Sequence, residues 1–152
     1  MEFKWIHGRG PGFEDAAGLR ETVFVHEQGF SLEIELDETD GEAWHVVGYR
    51  QGRPVCTGRL FWDDDGAGCP HHDAAGRMHI GRVAVLRECR GGGTGLAVMD
   101  ALVARAREMG AKRIVLNAQA DKSGFYEKAG FACTGATMLD EGVPHVEMEM
   151  LL

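Results

Sequence analysis

The sequence predicts a single mixed α/β domain over residues 1–152, and three observations carry that prediction. A chain of 152 residues suits one domain and would crowd two. Its 44% hydrophobic and 26% charged residues sit near the globular average, away from disordered chains and membrane proteins. Turn signals divide it into short pieces that alternate between helix-like and strand-like patterns, with no internal repeat or low-complexity tract.

The opening FKWI ends at the break GRGPG. Over 13–27, Ala16, Leu19, Val23 and Val25 or His26 fall near one face at helical spacing, and acidic residues occupy the first turn, which predicts a helix. Residues 28–42 carry charge and turn formers. AWHVVGYR and PVCTGRLFW then read as a hairpin across the tight QGR turn. The polar stretch 63–76 is long enough to be a mobile insertion or a functional loop. MHIGRVAVL follows as a strand.

From Thr94 to Met109, Leu96, Met99, Val103 and Ala106 recur at spacings of 3, 4 and 3, with Gly110 just past the end; this pattern predicts a helix. RIVLNA reads as a nearly continuous apolar strand of the kind buried on both faces. A helix from about Lys122 to Ala129 follows, with Asp121 placed to cap its start and Gly130 its end. The tail gives two strands, 132–138 and 145–151, around the turn DEGVP.

Charge and cysteine usage narrow the function. Sixteen basic residues face 24 acidic ones, a net charge of -8, without a Lys/Arg block, which argues against nucleic acid as a partner. An acidic surface suits a cationic small molecule or an amine-bearing peptide. No apolar run reaches signal-peptide or membrane-span length, so no membrane partner is expected and cytoplasmic residence is. Cys56, Cys69, Cys89 and Cys133 lack CxxC spacing and read as reduced thiols. The oligomeric state is open, a homodimer being one arrangement available to the chain.

The chemically loaded segment is RVAVLRECRGGGTGLAVMDAL, in which a strand enters a glycine turn and leaves it as the best-patterned helix. Glycines allow close backbone approach, the first helical N–H groups lack partners, and the helix dipole favours negative charge, so a phosphate or pyrophosphate is the natural guest. Neither G-x-x-x-x-G-K-[ST] nor a complete G-x-G-x-x-G occurs, which removes the Walker and Rossmann signatures. A flexible turn without a ligand is the alternative.

Arg90, Gly93 and Gly95 in R-x-x-G-x-G, preceded by Val83-Ala84-Val85, resemble the pyrophosphate motif of the GNAT superfamily of acyl-CoA-dependent N-acyltransferases. AQADKSGFYEKAGF is similar to that family's second cofactor motif, where a helix carries a Phe-Tyr pair and ends in Gly-Phe. LRETVFVHEQGF, followed by Glu35, Asp37, Asp40 and His45, resembles a small bacterial-type branch of uncharacterised members and also the amino-terminal half of acyl-homoserine lactone synthases. Those synthases are longer and lack a clear R-x-x-G-x-G turn. The fold the resemblance implies is a GNAT-like mixed, mostly antiparallel central sheet with helices on both faces, whose central strands splay apart around the cofactor.

The resemblance also implies roles. The main chain of Val83, Ala84 and Val85 would pair with pantetheine near the thioester carbonyl. The phosphates would lie on the amides of Gly91, Gly92, Gly93, Thr94, Gly95 and Leu96, with Arg90 nearby. Gln119 stands where many members carry an Asn that bonds pantetheine, and Phe125 belongs to the second motif. Tyr126 would donate a proton to the leaving thiolate, the alternative being an aromatic packed beside Phe125. His79, six residues before Val85, is the candidate general base, where some members carry a glutamate; a structural histidine is the alternative.

Glu27, Glu35, Asp37 and Asp40 are candidates for recruiting a cationic amine, or else a solvated face, and His145 is a candidate pocket residue. Cys69-Pro70-His71-His72-Asp73 has no second ligand pair at zinc spacing, and DDDG and DETDG have Phe61 and Leu36 where a first calcium ligand would stand, so no metal is expected. No Cys-His pair marks a nucleophile. The expected function is acetyl transfer from acetyl-CoA to a primary amine of a small molecule or peptide by direct attack. The rivals are a non-catalytic acyl-CoA-binding module and a relative of the lactone synthases.

Overall fold

The computed structural model describes residues 1–31, 36–63 and 76–152. Its seven strands are β1 (Glu2–His7), β2 (Trp44–Arg50), β3 (Arg53–Trp62), β4 (Arg77–Val85), β5 (Arg113–Gln119), β6 (Ala132–Asp140) and β7 (Val143–Leu151). They form one sheet in the order β1-β2-β3-β4-β5-β7-β6, antiparallel throughout except for the β4–β5 pair. Among the described residues the α-helices are α1 (Phe13–Arg20), α2 (Thr94–Glu108) and α3 (Ser123–Lys128).

Strand alternation sends successive residues to opposite faces, and the partners show which helix covers which face. On one side Tyr49 donates to Asp15 of α1 at 2.6 Å, and His45 meets Phe13 of α1 edge-on at 4.9 Å. On the other, Gly58 faces α2 so closely that a Cβ would lie 2.7 Å from Leu102 Cδ1. Helices therefore cover both faces, as the resemblance implied. Leu60, Met78, Met99, Leu102, Ile114, Leu116 and Met148 form the centre of the core.

Four expectations change in detail. The helix over 13–27 is α-helical only to Arg20 and continues as a π-helix over Glu21–Glu27; apolar spacing over two turns does not separate i→i+4 from i→i+5 bonding. Asp121 does not cap α3, because it lies within a 3₁₀ turn, Ala120–Lys122, and Lys122 takes the cap position without a side-chain bond. DEGVP contracts to a two-residue turn: Asp140 pairs with Val143 while Glu141 and Gly142 take φ of 48° and 79°, the left-handed pair of a type I′ hairpin. Asn117 is exposed, so β5 is not buried along its whole length.

The solvated-face reading of Asp37 and Asp40 is overturned. Asp40 is fully buried and accepts from both terminal Arg20 nitrogens, at 2.8 and 3.0 Å, and from Arg59 at 2.9 Å. Asp37 takes Arg59 at 2.7 and 3.0 Å and Arg82 at 3.2 Å. These carboxylates neutralise arginines brought from α1, β3 and β4. Glu35, and Cys69–Asp73 within the polar stretch 63–76, lie outside the described residues.

Candidate active site

Parallel pairing between β4 and β5 covers Arg77 with Arg113, Met78 with Ile114 and His79 with Val115, and stops there. Past that point β4 stays with β3 and β5 with β7, so the two strands diverge. The wedge is a cleft of about 400 Å³. On its β4 wall, Thr57 pairs with Ala84 and Arg59 with Gly81, which leaves Arg82 and Val83 together opposite Gly58. This is a bulge, with Arg82 at φ 50°; a bulge takes its extra residue out of the ladder and re-aims the strand.

The cleft is lined by most of the residues singled out in the sequence: His79, Val83, Ala84, Val85, Arg90, Gly91, Gly95, Gln119, Phe125, Tyr126 and His145. Gly92, Gly93, Thr94 and Leu96 belong to the same turn and helix start but do not line it. Thr94 is buried and accepts a bond from Arg50 at 3.2 Å. Gly91 and Gly93 have φ of 88° and 83°, and a Cβ on Gly91, Gly92 or Gly93 would meet nothing within 4 Å. The turn is thus open to a bulky anion, beside the partnerless first amides of α2. Gly95 answers a different demand: a Cβ there would stand 2.9 Å from the Phe125 ring, so its absence lets α3 close on the start of α2.

Arg90 is held in place rather than loose. Its Nε donates to the Val85 carbonyl at 2.9 Å, and its two terminal nitrogens grip both Glu27 oxygens at 2.7 and 2.9 Å. That hydrogen bonding, with the Arg90, Arg87 and Lys122 charges, outweighs partial burial and holds the Glu27 carboxyl below its ordinary range. Glu27 is therefore committed to Arg90. One residue on, Gln28 accepts from Gln119 at 2.6 Å, so the π-helical segment and its exit bridge to both the glycine turn and β5.

Tyr126 meets Phe125 edge-on at 4.9 Å, and burial pushes its phenol up to about 12. His79 stacks on Phe61 with centroids 5.1 Å apart and planes 20° apart. Its Cδ2 edge looks over Gly81, where a Cβ would stand 3.8 Å away. His145 Nδ1 lies 2.8 Å from the Val143 carbonyl, which can only accept, so Nδ1 carries the hydrogen and donates it. Cys56 is buried, with its thiol pushed up to about 11 by burial, and neither it, Cys89 nor Cys133 lines the cleft.

Sequence reasoning missed Phe24, Gln28, Phe30, Arg59, Arg82, Asn117, Lys122, Asp140 and Glu141, which also line the cleft. Two of them carried a signal. Asn117 lies two residues before Gln119 and so shares its strand face, and Arg82 sets a charge directly before the apolar run Val83-Ala84-Val85.

A splayed sheet with an anion-ready glycine turn at one side and a tyrosine-bearing helix at the other defines a cleft of the N-acyltransferase class. Residues 18–152 match the family model described as the acetyltransferase (GNAT) domain. The chain is 37% identical over 136 residues to a Bacillus subtilis protein described as the uncharacterized N-acetyltransferase YjcF, covering 89% of each chain. It is 30% identical over 132 residues to Escherichia coli protein ElaA, covering 86% of this chain and 81% of that one. The crystal structure of ElaA superposes with a TM-score of 0.81 at 25% identity over 97% of each chain. That of an acyl-CoA N-acyltransferase from Pseudomonas aeruginosa gives 0.77 at 25% identity over 98% of this chain and 99% of that one. The chain belongs to the GNAT acetyltransferase family and is an acyl-CoA-dependent N-acyltransferase. Among the described residues no helix is long and apolar enough to cross a membrane.

Proposed function

We propose that this enzyme transfers an acetyl group from acetyl-CoA to a primary amine of a small molecule or peptide, by direct attack of the amine nitrogen on the thioester carbonyl. The observation that carries this reading is the β4–β5 cleft, which has the open glycine turn, the bulged β4 backbone and two titratable side chains, His79 and Tyr126, on common walls. We read residues 1–152 as one domain working in the cytoplasm.

The phosphates of acetyl-CoA would rest on the amides of the 91–96 turn, with Arg90 and Lys122 at its flank. Arg90 already commits its Nε–H to Val85 and one N–H of each terminal nitrogen to Glu27, so its position is fixed from the protein side, and the amides of the turn carry most of the direct phosphate bonds while its remaining N–H groups flank them. Pantetheine would run along Val83, Ala84 and Val85, with Gln119 exchanging Gln28 for the ligand and Phe125 packing beside it. Main-chain donors aimed at the developing oxyanion are worth about 3 kcal/mol when well placed. The amine approaches over Gly81. His79 takes its proton as the C–N bond forms, the tetrahedral carbon collapses, and the C–S bond breaks to release CoA as the thiolate.

Tyr126 serves the departing sulfur as an O–H donor. Full proton transfer from a phenol near 12 to a thiolate of ordinary pKa about 8.5 is uphill by roughly 5 kcal/mol. A hydrogen bond to the growing charge needs no such transfer, and solvent protonates the thiolate later.

Acetyl-CoA at one hundred times its dissociation constant should stabilise the folded chain by about 2.7 kcal/mol, read as a rise in melting temperature; no rise with either acetyl-CoA or CoA refutes the donor assignment. Gly81→Ala should leave that rise intact, since its new methyl would make only ordinary contacts, at 3.8 Å from His79 and 3.9 Å from Arg59. The same methyl should raise the KM for the amine severalfold. An unchanged amine KM would move the acceptor away from Gly81.

A further inference from the structure

We propose that Asp63 is a positioning residue that fixes the tautomer of His79, so that Nε2 presents its lone pair to the incoming amine; this rests on His79 being the base. Asp63 follows directly on β3, and its carboxylate Oδ2 lies 3.4 Å from His79 Nδ1. An ionised carboxylate only accepts, so this contact favours the tautomer with the hydrogen on Nδ1, in which the neutral ring keeps its lone pair on Nε2. The opposite edge of the same ring carries Cδ2, which faces Gly81 and the cleft. The ring plane is set by its stack on Phe61.

Asp63 is itself anchored. Its N–H donates to the Arg77 carbonyl at 2.9 Å, Arg77 Nε donates to its carbonyl at 2.9 Å, and the Arg77 guanidinium reaches Oδ1 at 3.5 Å. Oδ1 thus faces Arg77 and Oδ2 faces His79. Hydrogen bonding from His79 and the His79 and Arg77 charges outweigh the cost of burial and hold the carboxyl below its ordinary range, which keeps it an acceptor at neutral pH. A nucleophile-activating base oriented by a third group is a recurring arrangement in catalysis. Arg77, Asp63 and His79 form such a line at the end of the β3–β4 pair where β3 finishes and β4 begins, with the base at its inner end.

The test is a double-mutant cycle on the whole chain with an amine whose acetylation limits turnover. His79→Gln should lower kcat by about 10²-fold or more. Asp63→Asn keeps the shape but can offer an N–H to Nδ1 and so admit the wrong tautomer; it should lower kcat by about tenfold to hundredfold, with acetyl-CoA KM and acetyl-CoA-induced stabilisation unchanged. Added to His79→Gln, Asp63→Asn should cost nothing further, because a group that acts only through the imidazole has nothing left to act on. Asp63→Glu, which retains an acceptor, should recover part of the loss. Parent-level kcat for Asp63→Asn, or an equal loss in both backgrounds, overturns the positioning role while leaving the base assignment standing. Parent-level kcat for His79→Gln overturns both.

Discussion

Asp40→Asn should destabilise the fold by about 3–5 kcal/mol in urea denaturation at pH 7, the usual cost of leaving a buried ion pair without one partner. Few substitutions in this chain should cost more. Asp40 lies wholly inside, shared by Arg20 and Arg59, which are 1% and 5% exposed. The amide would keep the volume and remove one buried negative charge from a cluster in which Arg20 and Arg59 both bond to it, Arg59 keeping Asp37. Against a total stability of typically 5–15 kcal/mol, the variant would hold only part of its margin.

The same carboxylate gives the parent protein an acid-sensitive component. Burial opposes ionisation of Asp40, but the hydrogen bonds and charge of Arg20, then those of Arg59, outweigh it and bring the pKa from 3.8 to about 2. A depressed folded-state pKa means that the unfolded chain binds the proton first. The contribution, about 2 kcal/mol, is therefore complete above about pH 4 and is lost as pH falls towards 2. Asp40→Asn should lack this component and lose less stability than the parent over that window. A variant within 1 kcal/mol of the parent at pH 7 would mean that both arginines find other compensation.

Tyr126→Phe should reduce kcat by about tenfold to 150-fold, the equivalent of losing one hydrogen bond of 1.5–3 kcal/mol to a charged group. Acetyl-CoA KM and thermal stability should hardly move, because the ring and its contact with Phe125 remain. A phenol raised to about 12 stays protonated across the working range, so the loss should be nearly independent of pH between about 6 and 9. Equal kcat in parent and variant, with acyl transfer limiting, would return Tyr126 to packing.

The strand, glycine turn and helix around residues 83–109 were legible because each element carries its own local signature: an apolar run, residues able to take left-handed φ, and a 3-and-4 spacing that closes at Gly110, although the face the helix buries is Val98, Met99, Leu102 and Ala106, with Leu96 and Val103 only half-buried. The β2–β3 hairpin was legible for the same reason, since Gln51 and Gly52 take φ of 53° and 78° in its two-residue turn. The arginine–aspartate network was not. Its bonds join residues 19 to 45 positions apart, and an acidic run looks the same in sequence whether it meets water or buried arginines. His79 was legible as a candidate, whereas its link to Asp63 depends on the β3–β4 register that sets Trp62 opposite Met78. The bridges from Glu27 to Arg90 and from Gln28 to Gln119 span 63 and 91 residues and depend on the π-helical turn, which periodicity does not resolve.

Direct acetyl transfer to an amine is tested in one reaction by following thiol release together with the mass of the amine product across amines, amino acids, polyamines and peptides. For at least one acceptor, CoA should appear in equal amount to acetylated amine, only when enzyme and amine are both present, and at a rate lowered by Tyr126→Phe. Acetyl-CoA binding without any such product across the panel, or product formation that Tyr126→Phe and His79→Gln both leave untouched, would contradict this expectation.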